Sequence, residues 1–134
     1  MKLYAPSTIE AIKEKHRFQL SKSLGQNFIT DKHVIERIVE GAGPSEKDLV
    51  IEIGPGIGVL TAEAAQQAAK VIAIEIDSKL IPILGETLAE YDNVEVINQD
   101  ILKTDLNGII DEPRQLGNFT GDVKIIGNLP YYIT

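Results

Sequence analysis

The sequence predicts an α/β fold built on a parallel sheet. Four short apolar runs, rich in β-branched residues, follow one another after residue 48 and are separated by stretches that favour helix. The predicted strands are residues 49–53, 71–76, 94–97 and 123–126, and the predicted helices between them are residues 58–69, 78–90 and 104–110. Near-continuous apolar strands that alternate with helices are typical of strands buried on both faces and joined by right-handed crossovers.

Two further helices are predicted before the first strand. Pro6 opens a short helix that extends to Lys15, since Ile9 and Ile12 lie three residues apart. Asp31 caps a second helix, which turns four aliphatic residues inward. These residues are Val34, Ile35, Ile38 and Val39.

Glycine and proline residues lower the helix propensity of two later segments. Pro82 and Gly85 interrupt the apolar face of the helix at residues 78–90. Residues 111–122, with Pro113, Gly117 and Gly121, are predicted to be the one long irregular stretch.

Composition places the chain among globular proteins. Its 134 residues are 43% hydrophobic and 25% charged, which suits one ordinary domain. The absence of cysteine excludes a disulfide scaffold, a thiolate metal site and a cysteine nucleophile. No aliphatic run is long enough to span a bilayer, and the first residues lack a signal-peptide pattern. A soluble cytoplasmic domain without a membrane partner or a metal is therefore expected.

Charge is unevenly distributed. Residues 1–40 carry a net charge of +2, whereas residues 41–134 carry −9 within a total of −7. The basic residues near the start include Lys13, Lys15, Arg17 and Lys22. One interpretation is a solvated arm. The other is an arm that contacts phosphates, attached to an acidic body that binds a small molecule.

A glycine loop follows the first predicted strand. Residues 52–58 read Glu-Ile-Gly-Pro-Gly-Ile-Gly, so Gly54, Gly56 and Gly58 offer bare backbone to a ligand. The third glycine of a dinucleotide fingerprint would fall at Val59, and the Glu52 carboxylate is unfavourable beside a pyrophosphate. A cationic ligand without phosphates, such as S-adenosyl-L-methionine, fits better. No P-loop is present.

Acidic residues lie at the ends of the next two strands. Glu75 lies 21 residues after Gly54, where doubly wound folds hold ribose hydroxyls. Asp77 competes for that role, but its position favours capping the next helix. Asp100 ends the third strand and can accept a hydrogen bond from an adenine amino group, or cap a turn.

The fourth strand leads into Asn128, Leu129, Pro130 and Tyr131. Proline holds the preceding residue extended and leaves carbonyl groups free. The Asn128 side-chain carbonyl and the backbone carbonyl of Leu129 or Pro130 can accept both N–H groups of an amine. Tyr131 offers a face on which a base stacks. Such a site turns the nitrogen lone pair towards a sulfonium methyl group, so catalysis rests mainly on positioning.

Together these motifs resemble the ribosomal RNA adenine N6,N6-dimethyltransferases, most closely the small-subunit type. The resemblance covers about residues 20–134, and its motifs are Ser-Leu-Gly-Gln-Asn-Phe at 23–28, the loop at 52–58, Glu-Ile-Asp at 75–77, Gln-Asp at 99–100 and Asn-Leu-Pro-Tyr at 128–131. It implies a Rossmann-like methyltransferase that uses S-adenosyl-L-methionine. Its implied substrate is two adjacent adenosines in a hairpin loop near the 3′ end of small-subunit ribosomal RNA, and its implied partner is that RNA or a pre-30S particle.

The resemblance also implies roles for single residues. Gln26, Asn27 and Ile29, with Gly54 and Gly56 beside them, would meet the methionine end of the cofactor. The family usually has Leu where this chain has Ile29, and a backbone contact tolerates that change. Implied contacts in the rest of the site are Glu75 with the ribose, Asp100 with the adenine, Asn128 with the cofactor and the target amine, and Leu129, Pro130 and Tyr131 with the target base.

Three alternatives stay open. A large-subunit enzyme of the macrolide-resistance type shares the architecture, although the ending Asn-Leu-Pro-Tyr-Tyr favours the small-subunit type. A non-catalytic RNA-binding assembly factor on the same fold is disfavoured by the intact Asn128, Pro130 and Tyr131. Val59 and Glu52 count against a nicotinamide oxidoreductase.

Length adds a further expectation. Residues 1–30 are interpreted as a basic arm with a cofactor-capping loop, and residues 31–134 as the front half of a catalytic domain. Sheets of this family continue after a fourth strand, so the predicted half-sheet has the order 3-2-1-4 and an unpaired edge at strand four. Weak stability or self-association through that edge, and little activity of the chain alone, are expected.

Overall fold

The computed structural model describes residues 10–12, 14–15 and 32–127, in which helices and strands alternate. In chain order the elements are α1 (Lys32–Ala42), β1 (Leu49–Ile53), α2 (Val59–Ala65), β2 (Lys70–Glu75), α3 (Ile81–Thr87), β3 (Val94–Asn98), α4 (Leu106–Gln115) and β4 (Val123–Gly127). Short 3-10 turns, Ser78–Leu80 and Ile101–Lys103, lie before α3 and α4. Each strand agrees with its predicted apolar run to within one residue at either end.

All strands are parallel and lie in the order β3-β2-β1-β4, as the sequence predicts. Ile53 pairs with Ile74 of β2 on one side and with Gly127 of β4 on the other. The carboxyl ends of the strands therefore meet at one edge of the sheet. From β1 the chain winds outward through β2 to β3 and then returns to β4 on the other side of β1, so the direction of winding reverses at β1. Doubly wound sheets bind their ligands at such a switch point.

The two central strands carry most of the buried sheet. β1 and β2 are almost wholly buried. β3 has only half-buried and exposed positions, and in β4 Ile126 alone is buried. The expectation of strands covered on both faces is therefore wrong for the outer pair. Among the described strands each of these has a single neighbour, and Ile125 of β4 is 55% exposed. Self-association through the outer edge of β4 stays a prediction.

Each face of the sheet has its own apolar layer. On one face, side chains from β1, β2 and β4 pack with α1, α2 and α3, and on the other, side chains from β1 and β2 pack with α4. The buried members of the first layer include Val39, Val50, Leu60, Val71 and Leu84, and those of the second are Leu49, Ile51, Ile72, Ile74 and Phe119. Burial of each such side chain stabilises the fold by about 1.5–3 kcal/mol.

Helix α4 differs most from the prediction. It continues through Pro113 to Gln115, so the expected irregular stretch at residues 111–122 is wrong over its first five positions. Asp105 caps the helix through the Gly108 N–H at 3.2 Å. Leu106, Ile109, Ile110 and Pro113 fall on one helical face, which packs on the sheet. That packing outweighs the backbone hydrogen bond that proline cannot donate.

The other helices differ at their boundaries. The predicted helix at residues 58–69 ends at Ala65, and that at residues 78–90 divides into a 3-10 turn and α3, with Pro82 in the first turn of α3. In α1, Ile35 and Val39 are buried as expected, whereas Val34 is 41% exposed. Asp31, its predicted cap, lies outside the described residues.

Residues 10–12 and 14–15 are helical, in agreement with the predicted N-terminal helix, and Ile12 is buried. No helix in the described part of the chain has the length and apolar content that crossing a membrane requires.

Candidate functional site

The glycine loop connects β1 to α2 at the switch point of the sheet. Gly54, Gly56 and Gly58 have φ angles of 72°, 60° and 96°, which residues other than glycine rarely adopt. The Gly54 N–H donates to the carbonyl of Ile74 at 3.0 Å, and the Gly58 N–H donates to that of Pro55 at 2.9 Å. The loop is thus tied to β2 and folded on itself, as expected of a backbone that meets a ligand.

Glu75 joins the loop to the end of β2. Its Oε1 accepts a hydrogen bond from the Gly56 N–H at 3.3 Å, and its Oε2 accepts one from the Asp77 N–H at 3.0 Å. The residue is 4% exposed. Burial raises the pKa of the Glu75 carboxyl, while the two backbone bonds act in the opposite direction. A buried acceptor beside bare backbone suits the hydroxyl groups of a ribose.

Asp77 has the capping role that its sequence position predicts. Its Oδ1 accepts a hydrogen bond from the Lys79 N–H at 3.0 Å, at the start of the 3-10 turn before α3. Glu75 rather than Asp77 therefore remains the candidate for holding a ribose.

Asp100 lies two residues after β3 and caps the next 3-10 turn. Its Oδ1 accepts a hydrogen bond from the Leu102 N–H at 3.0 Å, and its carbonyl accepts one from the Thr104 hydroxyl at 2.6 Å. The capping alternative is thus realised. The side chain is half-buried at the same edge as Glu75, and its contact with an adenine stays a prediction.

Asn98 is a site residue that the sequence analysis missed. Its Nδ2 donates to the carbonyl of Glu75 at 2.8 Å and to that of Ile76 at 3.3 Å. The Gln99 N–H donates to the same Glu75 carbonyl at 3.1 Å. These bonds hold the ends of β2 and β3 in one position relative to each other. An amide residue directly after the apolar run at residues 94–97 is the sequence signal that could have identified Asn98.

Two exposed apolar side chains were also missed. Ile76 directly follows Glu75 and is 53% exposed, and Leu102 lies two residues after Asp100 and is 74% exposed. Each follows an acidic residue at the end of neighbouring strands. Apolar side chains at a ligand-binding edge provide surfaces for the faces of a planar base.

Glu52 corrects an expectation. The sequence predicts its carboxylate close to a bound pyrophosphate, whereas the side chain is buried under α2 and accepts a hydrogen bond from the Thr61 hydroxyl. Burial raises the pKa of Glu52 to about 7. Because the Glu52 carboxyl is enclosed in the protein, it makes no direct contact with a ligand on the loop, and the argument against a dinucleotide rests mainly on Val59. Thr61, a hydroxyl residue in an alanine-rich helix, was missed.

The described residues contain part of the predicted site. Gly54, Gly56, Glu75 and Asp100 come together at the carboxyl edge of the sheet. The other predicted contacts lie outside the described residues: Gln26, Asn27, Ile29, Asn128, Leu129, Pro130 and Tyr131 for the cofactor and base, and Lys13, Arg17 and Lys22 for phosphates.

Lys15, the fourth basic residue of the predicted arm, has a carboxylate partner. Its Nζ lies 2.8 Å from Oε1 of Glu86 in α3. The lysine side chain is 65% exposed, and such surface pairs stabilise by about 0–1 kcal/mol. A phosphate can therefore compete for Lys15, and that contact stays a prediction.

Comparisons with known proteins agree with the motifs. A family model for ribosomal RNA adenine dimethylase matches residues 17–134. The chain is 57% identical over 134 residues to the ribosomal RNA small subunit methyltransferase A of Alkaliphilus metalliredigens, covering 99% of this chain and 45% of the relative. It thus spans less than half the length of that relative.

Solved structures of related proteins share the fold. A dimethyladenosine transferase from Plasmodium falciparum is 31% identical with a TM-score of 0.63, covering 81% of this chain and 35% of that one. The 23S rRNA methyltransferase ErmE is 42% identical with a TM-score of 0.57, covering 59% of this chain and 32% of that one.

Proposed function

The chain belongs to the ribosomal RNA adenine dimethylase family, and on that premise we propose that it forms the cofactor-binding part of an S-adenosyl-L-methionine-dependent enzyme. The enzyme dimethylates the N6 amino groups of two adjacent adenosines in a hairpin loop near the 3′ end of small-subunit ribosomal RNA. The observation that carries the proposal is the Glu75 carboxylate, which joins the glycine loop to the end of β2 through the Gly56 N–H at 3.3 Å.

The described residues fit this cofactor. The loop at residues 54–58 offers backbone without side chains to the methionine part, and Glu75 accepts hydrogen bonds from the ribose hydroxyls. Asp100 accepts one from the adenine amino group. Ile76 and Leu102 provide apolar contact for the purine. Gln26, Asn27 and Ile29 complete the methionine end of the site.

When bound, the cofactor supplies a methyl group on a sulfonium. The residues after β4 position the amine that receives it. Asn128 and the carbonyl of Leu129 or Pro130 accept the two N–H groups, and Tyr131 stacks on the base. The pairing of Gly127 with Ile53 supports this arrangement, because Asn128 follows Gly127 in sequence just as Gly54 follows Ile53. The amine loses its proton after transfer, so no strong base is required.

RNA is the substrate that this chemistry requires. An adenine amino group is accessible only when its base is unstacked, which favours a loop or a single strand. Lys13, Lys15, Arg17 and Lys22 contact the phosphates around that loop. A pre-30S particle presents such a substrate in the cytoplasm.

A large-subunit target is the second candidate, because the likeness to ErmE, a 23S rRNA methyltransferase, covers 59% of this chain. The small-subunit target is favoured by the 57% identity to a small-subunit methyltransferase across nearly the whole chain. A non-catalytic assembly factor is the third candidate.

One experiment separates the three. Because the chain alone is expected to show little activity, the complete enzyme that contains it is incubated with labelled S-adenosyl-L-methionine and with purified small and large subunits that lack the modification. Dimethylated adenosines are then mapped. We expect label at two adjacent adenosines of the small subunit. Label in the large subunit instead identifies the second candidate, and cofactor binding with no label in either identifies the third.

A further inference from the structure

Thr87, the last residue of α3, is bonded to the glycine loop. Its Oγ1 donates a hydrogen bond to the carbonyl oxygen of Ile57 at 2.8 Å, and the residue is 2% exposed. Ile57 lies between Gly56 and Gly58 and is itself buried. The bond therefore connects the middle of the loop to a helix thirty residues further along the chain.

The next residue of the loop lies against the same end of α3. Gly58 has a φ of 96°, and a Cβ added there would lie 3.1 Å from both Leu88 Cδ2 and Thr87 Oγ1. Such distances are shorter than ordinary van der Waals contact. The backbone at Gly58 thus packs directly on Thr87 and Leu88, so the loop has little room to shift.

The other side of this helix end holds the N-terminal helix. Glu86, the neighbour of Thr87, accepts from Lys15 Nζ at 2.8 Å. Ile12 is 5% exposed and belongs to the same buried cluster as Ile57 and Leu88. The end of α3 therefore lies between the glycine loop and the helical residues that lead towards Gln26 and Asn27.

We propose that the carboxyl-terminal end of α3 positions the cofactor site, with Thr87 holding the glycine loop and Glu86 holding the N-terminal helix. Both are positioning residues, since they act through Ile57 and Lys15. The inference rests on the proposed function, because it assumes that residues 54–58 bind the cofactor.

The physical reason is preorganisation. A loop with three glycines has many conformations to lose on binding a ligand. The Thr87 bond and the contact at Gly58 restrict those conformations before the ligand arrives, which lowers the entropy lost on binding. Loss of the bond also leaves the buried Ile57 carbonyl without this donor.

The test compares two substitutions at Thr87 in the full chain. Thr87→Val keeps the branched shape but removes the donor, and Thr87→Ser keeps the donor. Calorimetry measures the Kd for S-adenosyl-L-methionine, and hydrogen exchange measures protection of the amides at residues 54–58. We expect Thr87→Val to weaken binding about fivefold to tenfold and to speed the exchange. Thr87→Ser is expected to stay within about twofold of wild type.

Ile83→Val is the matched control, since Ile83 is buried in the same helix. It shortens a core side chain, so it reports a general loss of stability. We expect it to leave both the Kd and the loop exchange unchanged. If Thr87→Val behaves like this control, the inference is overturned.

Glu86→Gln tests the proposed role of Glu86 at a half-buried position, with a side chain of nearly the same shape, and it remains informative if Thr87→Val does not fold. We expect faster exchange at residues 10–15 and a Kd about twofold higher; no change in either overturns the role of Glu86. If the wild type binds no S-adenosyl-L-methionine while Thr87→Val still speeds loop exchange, the proposed function fails and the positioning of the loop stands.

Discussion

The hydroxyl of Thr61 donates a hydrogen bond to the carboxyl group of Glu52, and both side chains are buried. Glu52 lies in β1 and Thr61 in α2, so the bond closes the base of the glycine loop. Burial is the main reason that the pKa of Glu52 rises to about 7, and the negative charge of Glu75 adds to the rise. The Thr61 bond acts in the opposite direction.

Glu52→Gln is expected to change how stability depends on pH. Because the folded-state pKa of Glu52 is raised from 4.5 to about 7, the stabilising contribution of this carboxyl is fully present below pH 4.5, falls as pH rises to about 7 and then stays constant. Its removal should reduce the fall in unfolding free energy between these pH values by roughly 3 kcal/mol. Urea unfolding of both proteins at pH 5 and pH 8 measures this, with the exposed Glu112→Gln as control. An equal fall in wild type and Glu52→Gln contradicts the prediction.

Glu75→Gln is expected to weaken cofactor binding. The substitution removes a buried charged acceptor and directs an amide N–H towards the Gly56 or Asp77 N–H. Charged hydrogen bonds of this kind contribute about 1.5–3 kcal/mol, so the Kd for S-adenosyl-L-methionine should rise about tenfold to a hundredfold. Asp77→Asn is the matched control, and calorimetry should find its Kd within about threefold of wild type. An equal rise in the Kd of Glu75→Gln and Asp77→Asn would contradict the assignment of the ribose contact to Glu75.

Asn128→Ala is expected to abolish methyl transfer while the cofactor Kd stays within about tenfold of wild type. The reason is that Asn128 mainly orients the target amine. Transfer to small ribosomal subunits and calorimetry with S-adenosyl-L-methionine measure the two effects separately. Full activity of Asn128→Ala would refute the positioning mechanism.

Gly121→Ala is expected to destabilise the amino end of the sheet. An added Cβ would collide with Asp48 Oδ1 and lie 3.0 Å from the carbonyl oxygen of Lys47. Asp48 cannot easily move, because it accepts hydrogen bonds from the Ser45 and Asp122 N–H groups, each at 2.8 Å. Overpacking of this kind costs about 1–3 kcal/mol. Thermal unfolding measures the loss of stability. Gly117→Ala is the control that reports backbone strain without overpacking, since Gly117 has a φ of 74° and open space around it.

The same bonds lower the pKa of Asp48, with those from the Ser45 and Asp122 N–H groups as the largest causes. A carboxyl with a lowered folded-state pKa stabilises the fold above its unfolded-state pKa, and this contribution is lost as pH falls through the folded-state value. Asp48→Asn should therefore destabilise the protein at neutral pH and bring its stability closer to wild type in acid. A destabilisation that is the same at pH 7 and pH 3 would contradict this.

The combined substitution of Lys13, Lys15, Arg17 and Lys22 by alanine is expected to weaken RNA binding and flatten its dependence on salt. Each phosphate contact that is lost reduces the slope of log K against log salt by about 0.7 for a single strand. Filter binding of a small-subunit hairpin over a range of salt concentrations measures the slope. Of the four single alanine substitutions, Lys15→Ala should change the salt slope least, because Lys15 already pairs with Glu86. An unchanged slope in the fourfold variant refutes the role of the arm.

The sequence by itself determined the strands and the acidic residues at their ends, and its resemblance to a known family supplied the order of the strands. Buried parallel strands need near-continuous apolar runs, and Leu49–Ile53 is such a run except for Glu52. Asp77 could be identified as a cap because capping depends on neighbours two or three residues away. The positions of Glu75 and Asp100 follow from their places near the carboxyl ends of β2 and β3, since parallel strands end at one edge.

Only the tertiary structure decided which distant groups are partners. The continuation of α4 through Pro113 depends on packing against the sheet, and the burial of Glu52 depends on the helix that covers it. Glu52 with Thr61, Ile57 with Thr87 and Asn98 with the Glu75 carbonyl are bonds across 9, 30 and 23 residues. Local periodicity reports whether a side chain faces inward, but the donor or acceptor that it meets there depends on how the helices lie on the sheet.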